Sequence, residues 1–254
     1  AIYGAEAAGG VILVTTRRGK GDTRIDIHSY YSSNKSMEFP ELLTSNQYSR
    51  ILLETLVNDG IDTTGYNSYW NRDWETSTDW VDVMFQTGFI HHHTISASGA
   101  GEKANYYLAG GYASQKGTYY ISGYESFNFK INSDLQVNDW LKVGESLTFN
   151  SSQQRPEQTG NTGIYRSVIR ATPTIPVFDS TNSRGGGFGY IPDSLATSAQ
   201  WAGGNPYANA ELYEECQDHT TLFANFYAEV MPLDGLRWRT NVVGRFNSNG
   251  GEYF

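Results

Sequence analysis

The sequence predicts an all-β fold, an antiparallel sheet whose strands are long enough to span a membrane. Three observations lead to it: polar and apolar residues alternate in a series of segments, each segment runs for about ten residues, and the connections are alternately short and long. Aromatic residues make up 14% of the chain, charged residues only 18%, and glycines number 27. This composition suits strands, turns and membrane interfaces.

The alternating segments follow one another along the chain. In order they are 24–34, 89–99, 105–114, 126–137, 140–150, 221–231 and 236–246. The clearest is 126–137, where one face carries the apolar residues Phe127, Phe129, Ile131, Leu135 and Val137. Polar residues occupy its other face, because successive side chains of a strand point to opposite sides.

The length of the segments decides how they are interpreted. Strands of soluble proteins usually have about 5–6 residues, whereas a tilted strand that crosses a membrane needs about 9–11. The segments therefore favour a transmembrane β-barrel, with the apolar face toward lipid and the polar face toward the lumen. The alternative is a secreted, soluble β-sandwich that binds carbohydrate. In a sandwich a second sheet would bury the apolar residues Phe127, Phe129, Leu222 and Phe226.

The connections differ in length in a regular way. The short ones are 100–103, 138–139 and 232–235, and the long ones are 35–88, 115–123 and 152–219. In an up-and-down sheet all the short turns lie at one end, as do the periplasmic turns of outer-membrane barrels. Residues 35–88 and 152–219 are therefore expected to be long external loops.

The first long loop contains recognisable structure. Residues 43–60 predict an amphipathic helix folded over the mouth of the barrel, with Ser45 as its N-cap and Gly60 as its stop. Large aromatic residues follow among polar ones. Those that are candidates for contact with a substrate or a lid-forming partner are Tyr69, Trp70, Trp74 and Trp80. Packing within the loop is an equally good explanation of their presence.

Several classes of function are disfavoured. The formal net charge of −9 argues against a nucleic-acid partner, which needs clustered basic residues. The single cysteine, Cys216, cannot form an internal disulfide. Of His91, His92 and His93, only the first and third share a strand face, and two imidazoles are an incomplete zinc site. The sequence has no catalytic or phosphate-binding motif, so we expect no enzymatic activity, metal or cofactor.

The opening AIYGAEAAGGVILVTTRRGK resembles the end of the plug domain in the SusC/RagA family of TonB-dependent outer-membrane transporters. That family usually shows A-IYG-x-R-AANGVI-VTTK-GK. Glu6 and Gly9 depart from this pattern, where Arg and Asn are common, which bears on the local contact between plug and barrel. Other stretches similar to the family's recurrent patterns are 79–99, 104–117, 138–144 and 170–179.

The resemblance implies a domain organisation. Residues 1–21 would be the C-terminal end of the plug, with its last strand at 11–16 and a hinge at RRGKG. Residues 22–254 would be the first part of the barrel. Since barrels of this kind have about 22 strands, the chain is expected to be an internal fragment whose strands form an open, curved sheet. The strand 11–16 is expected on the concave side.

The resemblance also implies a function. The whole protein would import oligosaccharides or peptides across the outer membrane of a Gram-negative bacterium, surrounded by outer-membrane lipid. A SusD-like surface lipoprotein would serve as the lid, and the TonB complex would act through segments missing from this chain. The candidate lumen-facing residues are Asn128, Lys130, Asn132, Asp134, Arg237, Arg239 and Arg245. The arginines either attract anionic solutes or, as we favour, pair with neighbouring strands or the plug.

Overall fold

One antiparallel sheet dominates the computed structural model, which describes residues 17–36, 38–156, 163–182, 186–191, 204–212 and 215–253. Its strands are β1 Arg24–Asn34, β2 Gly88–Ala100, β3 Ala104–Lys116, β4 Gly123–Asn138, β5 Leu141–Arg155, β6 Glu215–Leu233 and β7 Leu236–Tyr253. The order across this seven-stranded sheet is the order along the chain, with β1 and β7 at the two edges. The predicted all-β, antiparallel, open sheet is confirmed.

The main difference from the sequence prediction is the length of the last two strands. β6 and β7 contain 19 and 18 residues, and they extend the predicted segments by 215–220 and 247–253. These extensions are polar or glycine-rich on both faces, so no alternation marks them. The ladder nevertheless continues, because its hydrogen bonds join backbone groups. The second long connection is therefore 156–214, and the predicted strand 11–16 lies outside the described residues.

The two faces of the sheet differ in character on all seven strands, apart from the polar extensions of β6 and β7. A row of directly opposed residues crosses every strand on one face: Ile27, Ile95, Gly110, Phe129, Phe149, Leu222 and Phe246. On the other face the register aligns Asp134 with Gly144 and Gly144 with Tyr227. The antiparallel register thus collects the apolar halves of all strands on one side and the polar halves on the other.

The apolar face is left uncovered by the rest of the described chain. Ile27 is 76% exposed, Phe127 50% and Phe246 60%, and the described strands belong to one sheet, so no second sheet covers them. This is contrary to the sandwich alternative. The apolar row of β4 runs from Phe127 to Val137, roughly 33 Å at ~3.3 Å per residue, and a tilt of ~40° reduces its height to roughly 25 Å. That is the height of the apolar band of an outer-membrane barrel.

In the part of the chain that the structure describes, the long connections contain five short helices and pack together at one end of the sheet. The helices are α1 Ser45–Asn58, α2 Thr64–Trp70, α3 Trp80–Met84, α4 Ile164–Arg170 and α5 Pro206–Leu212. A small core joins three of them to the connection between β3 and β4. Its buried members, which we call the loop core, are Trp80, Met84, Tyr119, Val168, Ala171, Ile175 and Ala210. Among the described residues no helix combines the length and the apolar character needed to cross a membrane.

The first helix begins one residue earlier than predicted. The N-cap is Thr44, not Ser45: the Thr44 hydroxyl accepts from the Gln47 backbone, and the Gln47 side chain accepts from the Thr44 backbone. This reciprocal pair is a capping box, which satisfies two backbone donors at once. Ser45 is instead buried and its backbone N–H donates to Ser77 Oγ at 3.1 Å, which ties the helix to the segment before α3.

Candidate functional site

The segment 17–21, which we call the hinge segment, is fastened to the polar face of the sheet. Asn132 Nδ2 donates to the backbone oxygen of Arg17 at 2.8 Å. Arg18 Nη1 donates to Asp134 Oδ1 at 2.5 Å and to the backbone oxygen of Ser133 at 3.0 Å. Ala100 N donates to the backbone oxygen of Gly21 at 2.7 Å. The hinge segment therefore contacts the sheet at β2 and β4 before β1 begins.

Asp134 is the centre of these contacts. Its residue surface is only 5% exposed, and besides Arg18 it receives hydrogen bonds from Asn105 Nδ2 at 3.1 Å and from the hydroxyl of Tyr227. Lys142 Nζ lies 4.0 Å from its second oxygen. A carboxylate so far removed from water needs partners of this kind. Three neighbouring strands and the hinge segment supply them.

Tyr227 carries the contacts further, toward the edge strand β7. The Arg18 guanidinium lies 5.7 Å from the centroid of its ring, and the Arg239 guanidinium lies 3.8 Å from it. Glu229 pairs with Arg239 at 3.9 Å and with Arg237 at 3.4 Å. Two of the arginines that the sequence marked as lumen candidates are thus paired with β6. The Tyr227 ring is thus contacted both by Arg18 of the hinge segment and by Arg239 of β7.

The remaining candidate lumen residues lie on the same polar face. Asn132 has no exposed surface, and its side-chain oxygen accepts from Ser146 Oγ at 2.6 Å. Asn128 and Lys130 are partly exposed on β4, with Gly111 and Ala109 directly opposite on β3. Arg245 donates to Asn247 Oδ1 on its own strand at 3.2 Å. The fastened pair Asn132 and Asp134 thus lies toward the short-turn end of β4, and Asn128 and Lys130 lie toward the loops.

Gly19 shows how closely the hinge segment approaches the sheet. This residue is buried, and a Cβ placed on it would collide with the backbone oxygens of Gly99 and Tyr106. Because both obstacles are backbone atoms of paired strands, they cannot rotate away. Glycine is required here for close approach.

Replacing Gly19 with alanine is expected to lower the stability of the assembled protein by about 1–3 kcal/mol through overpacking. The midpoint of unfolding by heat or urea would measure the loss. Lys20→Ala is the matched control, since Lys20 is exposed in the same segment. Equal midpoints for the two variants would contradict the close contact.

The aromatic candidates of the first loop divide into two pairs. Trp70 and Trp80 are each 1% exposed, so the prediction that they offer surface to a substrate or lid does not fit their positions. Trp80 Nε1 donates to the backbone oxygen of Thr172 at 2.9 Å. Trp70 packs between Tyr48 of α1 and Trp74, with ring centroids 6.2 and 5.7 Å away. For these two, internal packing is the better explanation.

Tyr69 and Trp74 remain partly exposed. The guanidinium of Arg72 lies 4.8 Å from the Tyr69 ring centroid and 4.0 Å from that of Trp74, within cation–π distance. Burial raises the pKa of the Tyr69 phenol, with Arg72 acting in the opposite direction. Tyr69 thus keeps its proton at neutral pH and can act as a hydrogen-bond donor. An exposed Arg between two aromatic rings is a common composition for a binding surface.

The histidines lie where the alternation predicted. His91 and His93 flank Tyr31 on the apolar face, at ring distances of 5.1 and 5.3 Å, while His92 stacks on Tyr30 on the polar face at 5.1 Å. Ser29 Oγ lies 2.7 Å from His93 Nδ1. Within the described ranges no group of three or more metal-ligating side chains comes together.

Sequence reasoning missed the residues that complete this site. Arg18 was assigned only to a basic hinge, and Asn105, Tyr227 and Glu229 were not singled out. The alternation of 221–231 does put Tyr227 and Glu229 on its polar face. An aromatic and an acidic side chain on a row expected to face the lumen were the signal from which these two site residues could have been predicted. Their convergence on Asp134 and Arg239 depends on the register between distant strands.

The chain is similar to known proteins over most of its length. No family model matches it. It is 29% identical over 238 residues to TonB-dependent receptor P26 of Formosa agariphila, covering 92% of this chain and 22% of that protein. It is 27% identical over 269 residues to TonB-dependent receptor SusC of Bacteroides thetaiotaomicron, covering 97% of this chain and 25% of that protein. The chain therefore spans about a quarter of the length of the curated relatives that it matches.

Solved structures show the same fold. The RagAB peptide importer in its closed-closed state superposes with a TM-score of 0.70 at 21% identity, covering 99% of this chain and 31% of that chain. The open-open state gives the same TM-score at 19% identity. These proteins are named as receptors and importers. The resemblance to TonB-dependent receptors, expected from the opening residues, is confirmed.

Proposed function

We propose that this chain, a relative of the SusC-type TonB-dependent receptors, forms part of the wall of an importer in the outer membrane. The importer carries oligosaccharides or peptides inward, with a SusD-like surface lipoprotein as its lid. The TonB complex supplies the force through parts of the protein other than the described sheet. Residues 1–21 end the plug, and residues 22–254 begin the barrel.

The two-faced sheet is the observation that carries this proposal. Its apolar row crosses all strands and stays exposed, which is stable in lipid and costly in water. Its polar face is fastened to the hinge segment through Asn132 and Asp134. A wall with lipid outside and a polar, plug-bearing interior is the arrangement that a gated importer requires.

The relatives bear on the substrate in different ways. The solved RagAB complex is described as a peptide importer, and the SusC relative is named only as a TonB-dependent receptor. Both substrate classes present hydrogen-bonding groups that the polar face and the loops 35–87 and 156–214 can meet. We keep both classes as alternatives that one uptake experiment separates.

The test compares cells that produce the whole transporter containing this chain with cells from which its gene has been deleted. Labelled oligosaccharides and labelled peptides are offered in parallel, with and without a protonophore that removes the energy supply of TonB. We expect gene-dependent uptake of one class, abolished by the protonophore. Uptake that persists without the gene or without energy, for every compound, would contradict the proposal.

We further propose that Tyr69 and Trp74 contact the substrate or the lid. Replacing both with alanine removes two aromatic faces, which are also the two rings that the Arg72 guanidinium contacts. The expected loss in affinity for the lid or substrate is about tenfold, equivalent to ~1.4 kcal/mol. Trp140→Ala is the control, because Trp140 is 50% exposed but lies at the short-turn end. Affinity unchanged in the double variant would leave these residues a packing role only.

A further inference from the structure

We infer that the hinge segment stays clamped to the barrel wall throughout transport, so that residues 17–21 do not take part in opening the gate. Asp134 is the positioning residue of this clamp. The inference rests on the proposed import function and adds a statement about which part of the gate is fixed. It comes from the contacts of residues 17–21 with β2, β3 and β4.

The charge pair is the first reason. Asp134 is buried, and Arg18 approaches it to 2.5 Å while also donating to the Ser133 backbone at 3.0 Å. Removing one member of a buried pair strands the other charge away from water, which is strongly unfavourable. Release of Arg18 would have this effect on Asp134. The Tyr227 hydroxyl and Asn105 would remain as neutral donors, with Lys142 Nζ at 4.0 Å as a more distant cation.

The backbone contacts are the second reason. The oxygen of Arg17 accepts from Asn132, whose side chain is fully buried and held on its other side by Ser146. Release would leave the Asn132 amide as a buried donor without its partner. The oxygen of Gly21 accepts from Ala100 at the end of β2. Both ends of the hinge segment are thus tied to the sheet by hydrogen bonds, with Gly19 seated between them.

The third reason is that the clamp is supported by several strands. Asp134 lies on β4, while its other partners Asn105, Lys142 and Tyr227 lie on β3, β5 and β6. Gly144 is part of this support, because a Cβ there would collide with the Tyr227 ring and Asp134 Oδ1. The Tyr227 ring in turn lies under Arg239 of β7. A pull on Arg18 is therefore distributed over neighbouring strands.

Not every residue of the hinge segment takes part in the clamp through its side chain. The side chains of Arg17 and Lys20 are exposed, and only Arg18 and Gly19 are turned toward the wall. Arg17 takes part through its backbone alone. The clamp thus depends on one side chain, one glycine and two backbone oxygens. A covalent bridge between positions 18 and 134 would take the place of that side chain and keep the glycine and both backbone oxygens where they are.

The main experiment locks the clamp and measures uptake. Arg18→Cys and Asp134→Cys are combined with Cys216→Ser in the whole transporter, and the two thiols are joined by a short thiol-to-thiol bridging reagent. We expect the bridged protein to import as well as the same protein before bridging. Each single-cysteine variant treated with the same reagent is the control. Loss of uptake on bridging, with both controls unaffected, would overturn the inference.

A second experiment does not depend on the double variant assembling. The bonds after Arg17, Arg18 and Lys20 are trypsin sites, so cleavage in the purified, assembled transporter reports opening of the hinge segment. Asp134→Asn is expected to speed this cleavage about tenfold. Asp218→Asn, on the apolar-face side of β6, is the control. Equal cleavage of both variants and of the unaltered protein would also overturn the inference.

The two proposals fail in different ways. If the unaltered transporter shows no energy-dependent uptake, the import function is wrong, while the trypsin measurement still tests the clamp. If the unaltered transporter imports and the bridged one does not, the function stands and the hinge segment must open.

Discussion

Replacing Ile131 with arginine is expected to destabilise the membrane-inserted protein by about 2–4 kcal/mol if the site lies near the midplane. Ile131 is on the apolar face of β4, directly opposite Leu108 of β3 and Leu147 of β5. A guanidinium there must either enter hydrocarbon or bend toward the interface. Urea-driven unfolding from lipid vesicles would measure the loss.

The control places the same side chain on the other face. Asn150→Arg lies on the polar face of β5, opposite Asn128 and Thr221. It is expected to change the free energy of unfolding little, because water reaches that face. If the two arginines cost the same, the assignment of the faces to lipid and lumen is wrong. Spin labels at Phe127 and Phe129 that report water without lipid contact would have the same consequence.

Replacing Trp80 with alanine is expected to remove about 3–5 kcal/mol from the stability of the loop core. Trp80 is 1% exposed, packs with Met84 and Val168, and its indole N–H donates to the backbone oxygen of Thr172. Truncation leaves both a cavity and a buried carbonyl without its donor. The sheet should persist, because its ladder does not include Trp80.

Hydrogen exchange resolved by peptide would test this separation. We expect faster exchange in α4 and α5 and unchanged exchange in β4. Trp80→Phe is the matched variant, since it keeps most of the packing and loses the hydrogen bond, and its effect should be smaller. Uniformly faster exchange across β4 and α4 would show that the loop core and the sheet unfold as one unit.

The sheet was predictable from the sequence because its signal is local. Alternation within 126–137 identifies the strand and both of its faces without reference to any other residue. The same reasoning placed His91 and His93 together and His92 opposite them. It failed at 215–220 and 247–253, where both faces are polar and only the backbone ladder defines the strand.

The loops were less predictable because burial there is a collective property. Trp70, Trp74 and Trp80 stand among polar residues in similar surroundings in the sequence. Trp80 is buried because α4, α5 and the connection after β3 close around it, and those residues lie far away along the chain. Ser45 was assigned as the N-cap because it is a good capping residue, while the reciprocal bonds of Thr44 and Gln47 decided otherwise.

By itself, the sequence determined the class of the fold, the strand order and the faces of the alternating segments, since these depend on side-chain alternation and connection length. Only the tertiary structure decided which polar residues meet. Arg18 and Asp134 are separated by 116 residues, and Tyr227 and Asp134 by 93. The contact of Asp134 with Tyr227 is set by the register of three strands, β4, β5 and β6, acting together. A shift of one residue between any two of these strands would turn Asp134 or Tyr227 to the other face.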